Sequence, residues 1–269
     1  METAQIDGAT RLYAIIGDPI SSVLSPGMFN AMFSRKKVNA VLLPLHVAAA
    51  DLQSAWAGLK AIKNFAGLIV TMPHKMAMCA LVDEMSAAAT LAGAINAVRR
   101  RRDGGWEGEM FDGIGCVHGL KAQGHAVAGR RIFLAGAGGA GSAIAMAVAQ
   151  AGAARLVISE IDAARLSRVV DRVRSVCPAT KVEVGTIADG PFDLAINATP
   201  LGMNAEGPVP FDPSRLAKTT LVVDVITKPD ITSLLSVARE TGHAIHSGKH
   251  LHHGQSIAAA AFFGFDRIN

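Results

Sequence analysis

The sequence predicts an α/β protein of two domains, and three observations predict it. Short apolar runs alternate with stretches of helical period along most of the chain. Residues 11–71 follow the order strand, helix, strand, helix, strand, which argues for a parallel, layered domain. Residues 131–159 form a second unit of strand, glycine turn, helix and strand. The 269 residues, 50% hydrophobic and 18% charged, suffice for two modest domains with packed cores.

In the first domain, residues 11–16 (RLYAII) read as a strand that enters the turn Gly17-Asp18-Pro19-Ile20. Ser25-Pro26 marks a helix start ahead of GMFNAMFSRKK, with apolar residues at helical spacing. A serine there is an N-cap, or else joins the free N–H groups of the first turn in holding a substrate carboxylate. Strands over 40–45 and 67–71 flank a helix over 49–59. The third strand runs into Val70-Thr71-Met72-Pro73-His74-Lys75. Open α/β sheets bind ligands beyond the carboxyl ends of their strands, so Thr71 and Lys75 are placed to face a cleft, unless Lys75 is simply a solvated residue at a helix start. A helix is expected over 76–85, with Met72, Met76 and Met78 as core filling. Arg99-Arg100-Arg101-Arg102, followed by Asp103-Gly104-Gly105, has no interleaved aromatics and reads as a solvated hairpin turn, not a nucleic-acid patch. Asp112, beside Gly113, is either the N-cap of a helix over 114–123 or a catalytic acid.

The second domain is organised around RIFLAGAGGAGSAIAMAVAQAGAARLVISEID, residues 131–162. Gly136, Gly138 and Gly141 satisfy G-x-G-x-x-G: the first for a tight turn, the second for close approach of backbone to a pyrophosphate, the third for packing of helix on strand. With Gly139 and Ala140 they open a helix whose N–H groups and dipole favour phosphate. Glu160, about 20 residues on, is placed to accept hydrogen bonds from the ribose hydroxyls. A carboxylate there repels the 2′-phosphate of NADP, so NAD is the expected cofactor and NADP the less favoured one, unless Arg165 or Arg168 recruits the phosphate. The expected fold is a Rossmann-type doubly wound domain. It continues with a helix over 163–176, strands over 181–185 and 221–226, and between those strands a buried strand within residues 192–203 that ends in small polar residues. A helix over 233–241 and a last strand over 244–246 complete it. The strand ends at Asn197, Thr199, Pro200 and Val225 face the cofactor.

The ordered set GDPI, LSP, VTMPHK, GAINAV, FDGIG, GAGGAG, NATPLGM and SGKHLHHGQ resembles the shikimate/quinate dehydrogenase family across residues 12–264. The resemblance implies a substrate domain at 1–111 completed by 247–269, and a dinucleotide domain at 112–246. It also implies an NAD(P)-dependent oxidation of a ring alcohol such as that of shikimate or quinate, or the reverse. Its catalytic lysine and aspartate fall on Lys75 and Asp112, and its substrate contacts on Ser25, Thr71, Asn96 and Gln255. In ketone reduction a protonated lysine is already the right acid for the developing alkoxide.

The chain departs from that pattern where polar residues are usual: Val23, Ile69, Phe111 and Thr227 stand in their places, and His250 replaces a glycine near the nicotinamide. A buried polar substrate group left unpaired costs about 1–3 kcal/mol. These positions therefore favour a less polar hydroxy acid, and a paralogue with another substrate or a non-catalytic NAD sensor is the competing reading. No apolar run reaches the roughly 18 residues of a membrane span, and METAQIDGATR has no secretory h-region, so a cytoplasmic protein is expected, as monomer or homodimer. Neither nucleic acid nor membrane is an expected partner. Cys79, Cys116 and Cys177 match no disulfide framework or zinc pattern. His250, His252 and His253 lack neighbouring ligands and are expected to line a cleft or meet solvent, with no metal.

Overall fold

The structure is a computed structural model that describes residues 6–203 and 207–265. The chain divides into two compact units, one of Met1–Phe111 with Ser256–Asn269 and one of Asp112–Gln255. The return to the first unit thus falls at 256, nine residues later than the expected 247, because the first two turns of the last helix group with the second unit. Among the described residues no helix is long and apolar enough to cross a membrane.

The first unit contains β1 (Arg11–Gly17), α1 (Ser25–Arg35), β2 (Ala40–His46), α2 (Leu52–Ala61), β3 (Phe65–Val70), β4 (Glu84–Met85), α3 (Ala87–Ala92), β5 (Ala97–Arg100) and β6 (Trp106–Glu109). Its sheet has the order β2-β1-β3-β5-β6-β4. β1 lies parallel to both β2 and β3, whereas β5 is antiparallel to β3 and to β6. The central strands β1 and β3 are buried on both faces, as their continuous apolar runs require. Under one face Tyr13, Phe29, Phe33 and Phe263 form a ring cluster with centroids 5.2 to 6.0 Å apart.

Two expectations fail here. Residues 76–85 form no α-helix: one 3-10 turn at Ala77–Ala80 gives way to β4, which pairs with β6. The Asp83 carboxylate accepts the Trp106 N–H at 2.7 Å, and the Trp106 carbonyl accepts the Asp83 N–H at 3.0 Å. Pairing with a strand more than twenty residues away thus overrides the local helical period. The helix forms later, as α3, capped by Ser86, whose hydroxyl accepts the Ala89 N–H, and ended by Gly93 at φ 64°. Of the three methionines only Met78 is core; Met72 and Met76 are each 39% exposed.

The second unit contains α4 (Asp112–Ala122), β7 (Arg131–Ala135), α5 (Gly139–Gln150), β8 (Arg155–Ser159), α6 (Ala163–Val176) and β9 (Lys181–Val184). After these come β10 (Leu194–Asn197), β11 (Leu221–Asp224), α7 (Ser233–Glu240), β12 (Ile245–His246) and α8 (Gly248–Phe262), and the unit boundary falls within α8. The sheet order is β12-β11-β10-β7-β8-β9, with every neighbouring pair parallel. This is a doubly wound sheet, in which the chain moves outward from β7 to β9 and then returns to β10 on the other side. The topological switch point lies between β7 and β10. α6 shows how local the code is: Leu166, Val169, Val170 and Val173 make one buried stripe, and the Asp162 carboxylate accepts the Arg165 N–H at 2.9 Å to cap it.

Candidate functional site

At the switch point of the second unit the glycines do distinct jobs. Gly136 adopts φ +97°, and a Cβ there would lie 2.9 Å from the Ala198 carbonyl carbon and from Thr199 Cγ2. A Cβ on Gly141 would overlap the Gly136 carbonyl, with its carbon at 2.7 Å, so Gly141 lets the first turn of α5 close onto the β7 turn. Gly138 is the N-cap of α5, has nothing within 4 Å of its Cβ position, and provides no side-chain cap. The first-turn amides of Gly139, Ala140 and Gly141 therefore lack helical partners. A glycine free of packing constraint at an uncapped helix start, on the switch point of a parallel sheet, fits a dinucleotide pyrophosphate.

Glu160 follows β8 beside this turn. Its Oε2 accepts the Ala137 N–H at 2.8 Å, and its Oε1 accepts the N–H groups of Ile161 and Asp162 at 2.9 and 3.1 Å. Burial works against the charge, but these donors, together with Arg165, outweigh it and hold the carboxyl below the usual glutamate range. Glu160 is therefore an anion at neutral pH, anchored to the glycine turn. Arg165 is engaged by that anion at 3.5 Å and by Asp162 at 3.4 Å. Ile161 is fully exposed.

Asn197, expected at the cofactor, is completely buried. Its Oδ1 accepts the Thr199 N–H at 2.9 Å and the Thr199 hydroxyl at 2.7 Å, while its Nδ2 donates to the Leu201 carbonyl and to Asp224 Oδ1, both at 3.1 Å. It shapes the strand-end loop on which half-buried Thr199 and exposed Pro200 sit; the half-buried Val225 is tied to the same place by its N–H to the Asn197 carbonyl at 3.1 Å. Asp224 and Thr232, which no sequence motif marks, complete the network: Thr232 Oγ1 donates to Asp224 Oδ2 at 2.7 Å and the Ile226 N–H to Oδ1 at 3.0 Å. Burial pushes the Asp224 carboxyl up despite these donors. The signal was present as an aspartate ending the apolar run LVVD, in register with Asn197.

In the first unit, Ser25 is the first residue of α1, and Leu24 occupies the N-cap with no side-chain cap bond. Ser25 is thus not a cap. It is 7% exposed, and among the described residues its hydroxyl and that of half-buried Thr71 take part in no hydrogen bond with another residue. Thr71 follows β3 directly, its N–H donating to the Ile16 carbonyl at 3.0 Å. Lys75, half-buried, lies in the turn beyond, fixed by its carbonyl, which accepts the Ile95 N–H at 2.8 Å. Asn96 is 1% exposed; its backbone joins β3 to β6 through Val70 and Glu109, and its Oδ1 accepts the Phe111 N–H at 2.9 Å. Thr71, Lys75 and Asn96 therefore share the edge where the parallel strands of this sheet end.

In the second unit, Asp112 is the first residue of α4 and 2% exposed. The neighbouring glycines explain its placement. A Cβ on Gly113 would lie 2.8 Å from Ala147 Cβ in α5, one on Gly115 would lie 2.9 Å from the Gln255 N in α8, and one on Gly119 would lie 2.9 Å from the His250 carbonyl carbon. α4 therefore packs backbone to backbone against α5 and α8, which holds Asp112 and Gln255 at defined positions in this unit. Gln255 is half-buried and, among the described residues, its side-chain amide takes part in no hydrogen bond. On α8, His250 stacks on His246 at 4.7 Å between centroids, and His252 is held low by burial and by His253, against the opposing pull of Asp112. Among the described residues no cluster of three ligands is arranged for a metal. The cysteines are free thiols; Cys116 is buried and pushed up to about 12 by burial and by Asp112.

The apolar departures are absorbed by packing. Ile69 is part of the first unit's core, and Val23 and Phe111 pack against it, Phe111 edge-on to Phe262 at 5.6 Å. Thr227 is half-buried in the second unit.

A doubly wound parallel sheet with an open glycine turn at its switch point and a carboxylate after the second strand defines a dinucleotide-binding α/β protein. Comparisons with known proteins extend this. The family model described as the shikimate dehydrogenase substrate binding domain matches residues 15–98. A shikimate dehydrogenase (NADP(+)) of Rubrobacter xylanophilus is 38% identical over 255 residues, 93% of this chain and 89% of that protein. The shikimate 5-dehydrogenase of Listeria monocytogenes, solved in complex with shikimate and NAD, superposes with a TM-score of 0.86 at 30% identity, over 99% of this chain and 96% of that one. The quinate dehydrogenase of Corynebacterium glutamicum, solved with NAD, gives 0.82 at 28% identity over 96% and 95%. The chain belongs to the shikimate/quinate dehydrogenase family.

Proposed function

We propose that this protein is an NAD-preferring dehydrogenase that interconverts the ring alcohol and ketone of a cyclic hydroxy acid of the shikimate or quinate type. The observation that carries the reading is the open, uncapped glycine turn beside an anchored, ionised Glu160, in a member of this family that retains Lys75, Asp112, Asn96 and Gln255. The first unit is the substrate domain and the second the dinucleotide domain.

A bound nicotinamide dinucleotide would supply the hydride acceptor in oxidation and the hydride donor in reduction. The protein's own residues do the rest. The amides of Gly138 to Gly141 bind the pyrophosphate, Glu160 the adenosine ribose, and Thr199, Pro200 and Val225 border the cofactor. Lys75 takes the hydroxyl proton on oxidation and returns it on reduction, with Asp112 orienting amine and hydroxyl. Ser25 and Thr71, whose hydroxyls are uncommitted, bind substrate oxygens together with Asn96 and Gln255. General acid–base assistance of this kind contributes about 10²- to 10⁴-fold.

For the choice of cofactor, Glu160 supports NAD: an anion at that point opposes a 2′-phosphate, and Arg165, the nearest cation, is already paired with Glu160 and Asp162. The curated relatives carry NADP(+) in their names, so the test is direct. Titration followed by NADH or NADPH fluorescence should show NAD bound tighter, and Glu160→Ser should erode the preference by roughly tenfold, worth about 1.4 kcal/mol. Tighter NADP binding by the unaltered protein would sink the preference.

A second reading concerns the substrate. Val23, Ile69 and Phe111 are packed into apolar surroundings and offer no polar contact, which favours a less hydroxylated acid over shikimate. A screen of shikimate, quinate and less hydroxylated cyclic hydroxy acids for NADH formation decides between them. Tight NAD binding without turnover on any of these acids would instead identify a sensor.

A further inference from the structure

The four-arginine run belongs to a β-hairpin with an exposed tip, as the sequence suggested, but only half of it is turn. Arg99 and Arg100 lie within β5, and only Arg101 and Arg102 enter the hairpin turn. With Arg11 and Lys63 all four line a cavity of about 290 Å³ at the edge of the first unit's sheet where β1 and β3 begin and β5 ends. Thr71, Lys75 and Asn96 lie at the opposite edge of this sheet, where β1 and β3 end and β5 begins. At 3.3 Å per residue, Phe65 and Thr71 are roughly 20 Å apart. Gly67 makes room for the cavity floor, since a Cβ there would lie 2.7 Å from the ring of Phe263.

Charge is unevenly answered around this cavity. Arg99 pairs with Glu107 at 2.7 Å, and Arg101 with Glu84 and Asp103. Arg100 is held by the carbonyls of Lys63 and Lys60, at 3.0 and 3.2 Å, and its Nε is buried without a partner among the described residues. Among the described residues Arg11, Lys63 and Arg102 meet no carboxylate; Arg11 rests on the Phe265 ring at 5.3 Å. Among the described residues Arg11, Lys63, Arg100 and Arg102 thus lie around one concavity without a carboxylate partner, a positive field that favours entry of an anion. The volume lies at the small end of ligand pockets.

We propose that this cavity binds a small multivalent anion, a polycarboxylate or a phosphate compound, independently of the reaction assigned above. Two phosphate or carboxylate groups on one molecule match the spread of cations better than a single charge, and guanidinium groups suit both.

The site carries its own reporter. The chain has two tryptophans, Trp56 and Trp106, stacked edge-on at 4.9 Å, and the Arg100 guanidinium lies 5.1 Å over Trp106. The full chain, with NAD present to occupy the dinucleotide site, is titrated with citrate and separately with inorganic pyrophosphate while tryptophan emission is followed. A saturable change is expected with at least one of them, and their relative affinities tell polycarboxylate from phosphate. The triple variant Arg11→Gln, Lys63→Gln, Arg102→Gln should weaken it by roughly tenfold or more, and acetate at matched ionic strength should give no saturable change. If the triple variant fails to fold, Arg102→Gln alone, at the exposed turn, should weaken binding about threefold. The proposal is overturned if neither anion saturates, if the substituted protein titrates like the original, or if acetate does as well.

Discussion

The two sheets of this protein are built on opposite terms. The second unit's sheet is parallel throughout, and its central elements from β7 to α6 follow from local pattern: apolar run, glycine turn, helix, apolar run and amphipathic helix. The first unit's sheet begins in the same way with β1, β2 and β3, then turns antiparallel at β5 and takes in β4, a two-residue strand that exists only because β6 lies beside it. The polar side chains divide likewise. In the second unit Asn197, Asp224 and Thr232 are fully engaged with one another and shape a loop. In the first, Ser25 and Thr71 have hydroxyls with no bond to any described residue. A largely enclosed polar group without a partner keeps its bonding capacity for a ligand, and in the second unit Gln255 has the same character.

The sharpest way to break this contrast is Lys75→Ala. If the first unit's polar edge is there for chemistry, the variant should lose about 10²- to 10⁴-fold in turnover, with NAD affinity measured by fluorescence unchanged. Full turnover by the variant would reduce Lys75 to a solvated turn residue and leave the first unit without an assigned acid or base.

The same contrast governs what was legible in the sequence. α6 could be read to the residue because its stripe and its Asp162 cap lie within one stretch of chain. The region 76–92 could not, because a helical period in MAMCALVDEM competes with a strand pairing whose partner is more than twenty residues away. Ser25-Pro26 correctly announced a helix start, but the backbone placed Leu24 at the cap and carried the serine one position inside. The glycines of FDGIG are legible as a motif, while their purpose, backbone contact of α4 with α5 and α8, depends on helices that the chain reaches later. Local chemistry is written locally, and positioning by distant elements is not.

A pH experiment sharpens the comparison from the scaffold side. His246, 3% exposed at the end of β12, has its Nε2 buried without a partner among the described residues, and burial, with His250 and His125 alongside, pushes its imidazole down to about 4 from 6.5. The folded state therefore binds a proton less readily than the unfolded chain. Stability from this group is complete above pH 6.5 and is lost as the pH falls toward 4, by about 3 kcal/mol across that window. Urea midpoints measured between pH 7 and 4 should fall less steeply in His246→Gln than in the unaltered protein, and parallel curves would show that His246 does not titrate with unfolding.

The smallest effect separates two glycines of one motif. Ala at position 141 must displace the Gly136 carbonyl, and overpacking of backbone at that turn should cost about 1–3 kcal/mol of stability along with cofactor affinity. Ala at position 138 meets no protein atom within 4 Å, so its melting temperature should stay within about a degree or two of the original. If the open space beside Gly138 is where pyrophosphate approaches, Gly138→Ala should still raise the dissociation constant for NAD by tenfold or so, since a methyl group would stand between the phosphate oxygens and the amides of α5. An unchanged NAD constant in Gly138→Ala, beside a destabilised Gly141→Ala, would mean that the turn serves helix packing alone and that the phosphates bind elsewhere.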